Sequence, residues 1–295
     1  MRKGQLLILD VFAEEKYAGN QLAVFLDAAD FSEQEMQILA KEMNYSETTF
    51  ILTDKLEQEG YPVRIFTPQE EVPFAGHPTL GTAYAIQKEI IRKPIDRIQL
   101  KLKIGNIPVS FTHLEDRIDS LWMVQKEPVF GEKFEVAVLA EMLSLGLNDI
   151  DERFPVQEVS TGLPFIIVPL KSLSANKKAR VKQDLFFDFI ASREVKSLLV
   201  FCPETYSPKN QINVRVFVDY FGIPEDPATG SANGCLAGYL VKYRYFNDSI
   251  IDVRVEQGFE IGRPSHLYLR AKEDSGKFQI EVGGKVIAVA KGRLI

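Results

Sequence analysis

Three side chains in this sequence are suited to moving a proton: Glu47 in NYSETTFIL, His77 in PFAGHPTLG and Asp226 in IPEDPATGSANG. A carboxyl or an imidazole can take up and return a proton near neutral pH once burial or a neighbouring group moves its pKa. Two of the three stand just before runs of small residues that open helices. The N–H groups of a first helical turn have no partner inside the helix and attract anions. His77, and Asp226 with Ser231, therefore lie where the carboxylate of a substrate could be held. Taken singly, each has a plainer explanation. Glu47 fits an edge-strand carboxylate, His77 a structural imidazole, Asp226 a solvated turn residue and Ser231 a simple helix cap. Chemistry requires that separate segments bring them together.

The elements that would position these groups follow from periodicity and punctuation. Gln5 to Phe12 reads as a buried strand, and YAGNQLAVFL as a turn carrying Asn20 into a second strand. Ser32 with Glu35 forms a capping box, and apolar Met36, Ile38, Leu39 and Met43 continue a helix to Asn44. Glu47 then falls among strand-favouring residues. A strand at Val63 to Thr67 leads through a polar turn to a helix in which Pro78 suits the first position; its residues are small and apolar nearly all round, so burial is expected. Strands at Arg97 to Ile104, Ile107 to Phe111 and Ser120 to Val124 follow.

Beyond a linker candidate at Lys126 to Pro128, the pattern predicts helices at Phe134 to Leu145 and Val181 to Ala191. Strands are expected at Phe165 to Pro169, Ser197 to Cys202, Val214 to Val218, Asp252 to Glu256 and His266 to Ala271. Phe278 to Ala290 reads as a hairpin split by Gly283-Gly284. Arg64, Phe66 and Pro73 recur as Arg215, Phe217 and Pro224, each 151 positions on, before a small-residue helix in both cases. This weak repeat suggests a duplicated architecture. The expectation is an α+β chain of two strand-rich lobes, because the helices do not alternate regularly with strands.

Composition narrows the function. A formal charge of −6 over 295 residues argues against a nucleic-acid partner. Asp10 interrupts the first apolar run too early for a signal peptide, and no run approaches a membrane span, so the expectation is a soluble cytoplasmic protein without a membrane partner. Two cysteines and three scattered histidines form neither a disulfide framework nor a metal motif, and no metal is expected. There is no GxxxxGK[ST], GxGxxG or GxSxG motif, which disfavours nucleotide binding and a serine nucleophile.

In seven ordered blocks the sequence resembles the phenazine-biosynthesis PhzF-like isomerase family. They are DVFAEEKYAGNQLAVF from Asp10, NYSETTFI from Asn44, RIFTPQEEVPFAGHPTLGTA from Arg64, STGLPFIIVPL from Ser160, IPEDPATGSANGCLAGYL from Ile223, EQGFEIGRPS from Glu256 and the final VGGKVIAVAKGRL. The resemblance implies a diaminopimelate-epimerase-like fold: two pseudo-symmetric lobes, each a curved, mostly antiparallel sheet around a central helix, with the site in the cleft between them. The N-terminal lobe would be 1–126, completed by strands near 278–295, and the C-terminal lobe 127–277. It also implies a homodimer without cofactor.

By position in these blocks, Glu47 matches the catalytic acid/base, with His77 and Asp226 as further catalytic residues. Ser231 matches another active-site residue and, with Asn20, Gly76, Thr161, Gly162 and Gly230, is assigned to substrate binding. Related epimerases use two cysteines, whereas the corresponding helix starts here, AGHPTLG and DPATGSA, carry no thiol. The implied activity is a cofactor-independent isomerase that moves a proton on a small carboxylic acid. The alternative is a catalytically silent metabolite-binding or scaffold protein of the same fold.

Overall fold

In RIQLKL, residues 97–102, exposed and buried side chains alternate without a break, as expected of a strand with one face on a core. In LLVFC, residues 198–202, every side chain is buried, because that strand is covered on both faces. The computed structural model describes residues 4–57 and 60–295. The chain forms two units: one runs to Val124 and resumes at Gly283–Ile295, and the other is Gln125–Val282.

In chain order the elements up to Val124 are β1 (Gln5–Val11), β2 (Asn20–Phe25), α1 (Glu33–Met43), β3 (Glu47–Ile51), β4 (Tyr61–Phe66), β5 (Glu71–Val72), α2 (Gly76–Ala85), β6 (Arg97–Leu102), β7 (Gly105–Leu114) and β8 (Arg117–Val124). The second unit contains β9 (Val129–Lys133), α3 (Val136–Met142), β10 (Gln157–Ser160), β11 (Pro164–Pro169), α4 (Leu173–Lys178), α5 (Gln183–Ile190), β12 (Leu198–Cys202), β13 (Ile212–Val218), β14 (Ile223–Asp226), α6 (Gly230–Lys242), β15 (Ile250–Gln257) and β16 (Ser265–Asp274). Through β17 (Lys277–Gly284) the chain returns to the first unit and ends on β18 (Val286–Arg293).

The two units share one strand plan. In the first, β18 and β1, then β1 and β2, pair antiparallel; β2 and β3 are parallel, β3 and β4 antiparallel, β4 and β6 parallel, and β6 and β7 antiparallel. The second repeats these joins in the same order through β9, β10, β11, β12, β13, β15 and β16. A short antiparallel strand, β5 or β14, lies on the fifth strand of each, β4 or β13. Each unit is thus α+β, mostly antiparallel, and built around a buried helix, α2 or α6.

Small residues allow those helices to lie directly on their sheets. A Cβ added at Gly81 of α2 would stand 2.5 Å from Leu22 Cδ2 and 2.9 Å from Val11 Cγ2. The other face of the same sheet carries Ala23, Phe25, Phe50 and Phe66, with Met36 and Ala40 of α1 packed on them. In the second unit α3, α4 and α5 cover the corresponding face through Leu139, Ala175, Phe186 and their neighbours.

An ion pair fixes β4 and β13, the fifth strand of each unit, to its short partner. Arg64 makes two bonds to Glu71, at 2.8 and 2.6 Å, and its guanidinium lies over the Phe66 ring at 5.1 Å. Arg215 does the same with Glu225, at 3.0 and 2.7 Å, and lies over Phe217 at 4.8 Å. Phe66 stands opposite Glu71, and Phe217 opposite Glu225. The register corrects one detail of the sequence repeat: from the glutamate onward the offset is 154 residues (71 to 225, 76 to 230), so Pro73 corresponds to Pro227 rather than Pro224. The extra residues make a turn at Asp219–Phe221 closed by left-handed Gly222.

Three further expectations change. Pro78 is the third residue of α2, where a missing N–H is still harmless because first-turn amides have no partner inside the helix. Ile223–Asp226 is a strand rather than a turn; Pro224 is accommodated because the register slips between Phe217 and Val218. Gly283-Gly284 is not a hairpin turn, since neither glycine has a positive φ and Val286–Arg293 pairs with β1. Gly283 is needed for close approach: a Cβ there would stand 2.5 Å from the Trp122 ring.

Candidate active site

In the first unit, three elements bring candidate residues together. Gly19 precedes β2 with φ +65°, and a Cβ on it would meet the Val11 carbonyl at 2.3 Å, so only glycine fits. Asn20 follows, buried, as the first residue of β2. Glu47 begins β3 opposite Leu22 and is 19% exposed. His77, the second residue of α2, is buried, hydrogen-bonds the Gln21 backbone and presents Nε2 to Glu47 Oε2 at 3.5 Å. Burial lowers the imidazole pKa to about 3, against the smaller opposing effect of the Gln21 bond. His77 is therefore neutral at neutral pH. Gly76 opens α2, and Ala75 before it has no side chain with which to cap the first turn.

In the second unit, Asp226 ends β14 and accepts a hydrogen bond from the Thr229 hydroxyl. Thr229 holds the N-cap position of α6, yet its side chain points back to Asp226 rather than capping the helix. Gly230 and Ser231 form the first turn. Thr161 and Gly162 precede β11; Thr161 Oγ1 lies 3.6 Å from Cys235 of α6, and Gly162 has φ +134°. The other two groups around this turn, Gln257 and Asn233, were not singled out from sequence. Gln257 lies within the block from Glu256, but its side-chain partners come from a turn about thirty residues upstream, a proximity that only the fold creates.

Matching the units residue by residue shows what is shared. Gly76 and Gly230 are the first, and His77 and Ser231 the second, residues of their helices. Thr48 stands opposite Phe66, and Leu198 opposite Phe217. The position of Glu47 is therefore filled by Ser197 in the second unit, so this carboxyl belongs to one repeat only.

Both thiols are buried and held protonated. Burial pushes Cys202 up to about 12 and Cys235 to about 11. Among the described residues no group of three or more His, Cys, Asp or Glu side chains could hold a metal ion. Nor is any helix among them long and apolar enough to cross a membrane, which says nothing of a β-barrel.

The fold is similar to that of a probable proline racemase from Agrobacterium radiobacter: the chain superposes over 99% of its length with TM-score 0.62, covering 93% of that chain at 10% identity, a likeness of fold alone. A family profile described as phenazine biosynthesis-like protein matches residues 9–292. A trans-2,3-dihydro-3-hydroxyanthranilate isomerase from Pseudomonas aeruginosa is 34% identical over 97% of this chain and 98% of its own. The crystal structure of a Bacillus anthracis phenazine biosynthesis protein of the PhzF family matches with TM-score 0.90 at 29% identity, covering all of both chains. The chain belongs to the phenazine biosynthesis-like family, and it is an isomerase.

Proposed function

We propose that the chain moves a proton within a small carboxylic acid without a cofactor, Glu47 taking the proton from one carbon and returning it to another. The pairing of Glu47 with a neutral His77 at 3.5 Å carries this reading. A neutral imidazole beside the carboxyl leaves Glu47 as the group that changes charge, and His77 can donate or accept a hydrogen bond as it does so. The amides of the first turns of α2 and α6 hold the substrate's carboxylate and stabilise charge that develops on it. Asp226 and Ser231 serve the same substrate, with Asn20, Gly76, Thr161, Gly162 and Gly230 lining it. Two thiols that stay protonated do not favour a two-cysteine racemase mechanism.

The isomerases of Pseudomonas aeruginosa and Pseudomonas chlororaphis are named for a dihydro-hydroxyanthranilate, a carboxylic acid with ring unsaturation. Such an acid is the first candidate substrate here, and allylic relocation of a proton the first candidate reaction. Incubation of that acid in deuterated water, followed by NMR, tests it. Deuterium should enter the product with wild-type protein and not with Glu47→Gln; incorporation that survives this substitution removes Glu47 from the reaction.

A further inference from the structure

The hydrogen-bond directions around Asp226 are set from β15. Gln257, the last residue of that strand, is fully buried. Its Nε2 donates to the Asp226 backbone carbonyl at 2.8 Å and to Thr229 Oγ1 at 3.0 Å. Its Oε1 accepts from the Thr229 backbone N–H at 3.2 Å and from Asn233 Nδ2 at 2.8 Å. Turning the carboxamide over would set donor against donor at Thr229 and Asn233, and acceptor against acceptor at Asp226, so one orientation alone satisfies the four contacts. The Asn233 amide is fixed in turn by a second bond, from Nδ2 to the Thr229 carbonyl at 3.0 Å.

The consequence falls on the Thr229 hydroxyl, which has one proton. It accepts from Gln257 Nε2, a pure donor, so its own proton points to Asp226 Oδ2. Oδ2 thereby accepts from Thr229, and a proton carried on Oδ1 leaves that hydrogen bond undisturbed. The strand end that supplies Gln257 is locked against the same turn. Gly258 has φ +77°, and a Cβ on it would meet the Arg263 carbonyl at 2.4 Å and the Pro227 carbonyl at 2.6 Å. The neighbouring charges are engaged elsewhere. Glu225 is paired with Arg215, while Glu256 accepts from the Tyr206 and Ser207 amides and from Asn210 and Asn213.

We propose that Gln257 is a positioning residue which, through the Thr229 hydroxyl, orients the Asp226 carboxyl and fixes which of its oxygens can carry a proton without disturbing the Thr229 bond. Its bearing on catalysis rests on the proposed role of Asp226. A double-mutant cycle in the full-length protein tests it, with the Asp226 carboxyl titration followed by carbon-detected NMR of aspartate-labelled samples. Thr229→Val removes the donor and should raise the Asp226 pKa by about one unit, whereas Thr229→Ser should leave it unchanged. Gln257→Met removes the group that directs the hydroxyl and should also raise it, but should add nothing in the Thr229→Val background, because the relay is already broken there.

Additive shifts, or an Asp226 titration that ignores Gln257→Met, overturn the proposal whatever the activity. Should Gln257→Met fail to fold, the Thr229 pair decides: equal titrations in Thr229→Val and Thr229→Ser overturn it. Non-additive shifts with unaltered deuterium incorporation uphold the positioning role and count instead against Asp226 in the reaction.

Discussion

Glu47 and the buried His77 imidazole lie 3.5 Å apart, and in the proposed reaction they divide the work unequally. Because burial holds His77 near a pKa of about 3, it does not take up a proton anywhere near neutral pH. The same shift has a consequence for stability. An unfolded His77 would titrate near 6.5, so between pH 6.5 and about 3 the unfolded chain binds a proton that the folded chain does not. Stability from this group is therefore complete above pH 6.5 and is lost as pH falls towards 3, by about 1.4 kcal/mol per pH unit when the two states differ by one proton. Urea unfolding midpoints at pH 7 and pH 5 should fall apart in the wild type and converge in His77→Gln. For Glu47→Gln, a loss of general acid–base catalysis on the order of 10²-fold or more in turnover is expected, with little change in the unfolding midpoint, since Glu47 is partly exposed.

At the scale of elements, the two arginine pins differ in burial and so in cost. Arg215 and Glu225 are both buried, whereas Arg64 is 23% exposed and has a second carboxylate, Glu33, at 2.7 Å. Glu225→Ala leaves a buried guanidinium with only the Asn176 and Ala179 carbonyls, and should destabilise by about 3 kcal/mol or more. Glu71→Ala should cost clearly less, because Glu33 remains; denaturant titration of both variants makes the comparison. Gly81→Ala should destabilise by about 1–3 kcal/mol, as its Cβ would enter the Leu22 side chain. Local pattern revealed α1 from its capping box to its end at Asn44, because a cap depends on residues three and four apart. It missed β9, β10 and α4, which at four to six residues are too short to show a periodicity.

Across the whole molecule, the first unit is not complete until β18 has paired with β1. β1 lies between β2 and β18, and β18 is the last strand. Its counterpart β9 stands instead at the start of the second unit. Removal of Val286–Ile295 should expose β1 as an open edge, so hydrogen exchange at the β1 and β2 amides should quicken while β12 and β13 stay protected. Equal loss of protection in both sets would show that the two units fold only together.

By itself the sequence determined the α+β class, the buried small-residue helices and the list of groups able to move a proton, since these follow from residue type and near neighbours. Family resemblance added the isomerase class. The tertiary structure decided which of those groups meet. Glu47 faces His77 because β2, β3 and α2 converge, and a sheet register joins residues thirty apart as readily as three. It also decided the hydrogen-bond direction at Asp226, through Gln257 on a distant strand, and the offset of the repeat, which slips from 151 to 154 at the turn closed by Gly222. Spacing along the chain fixes contacts within an element; contacts between elements depend on how the whole sheet is paired.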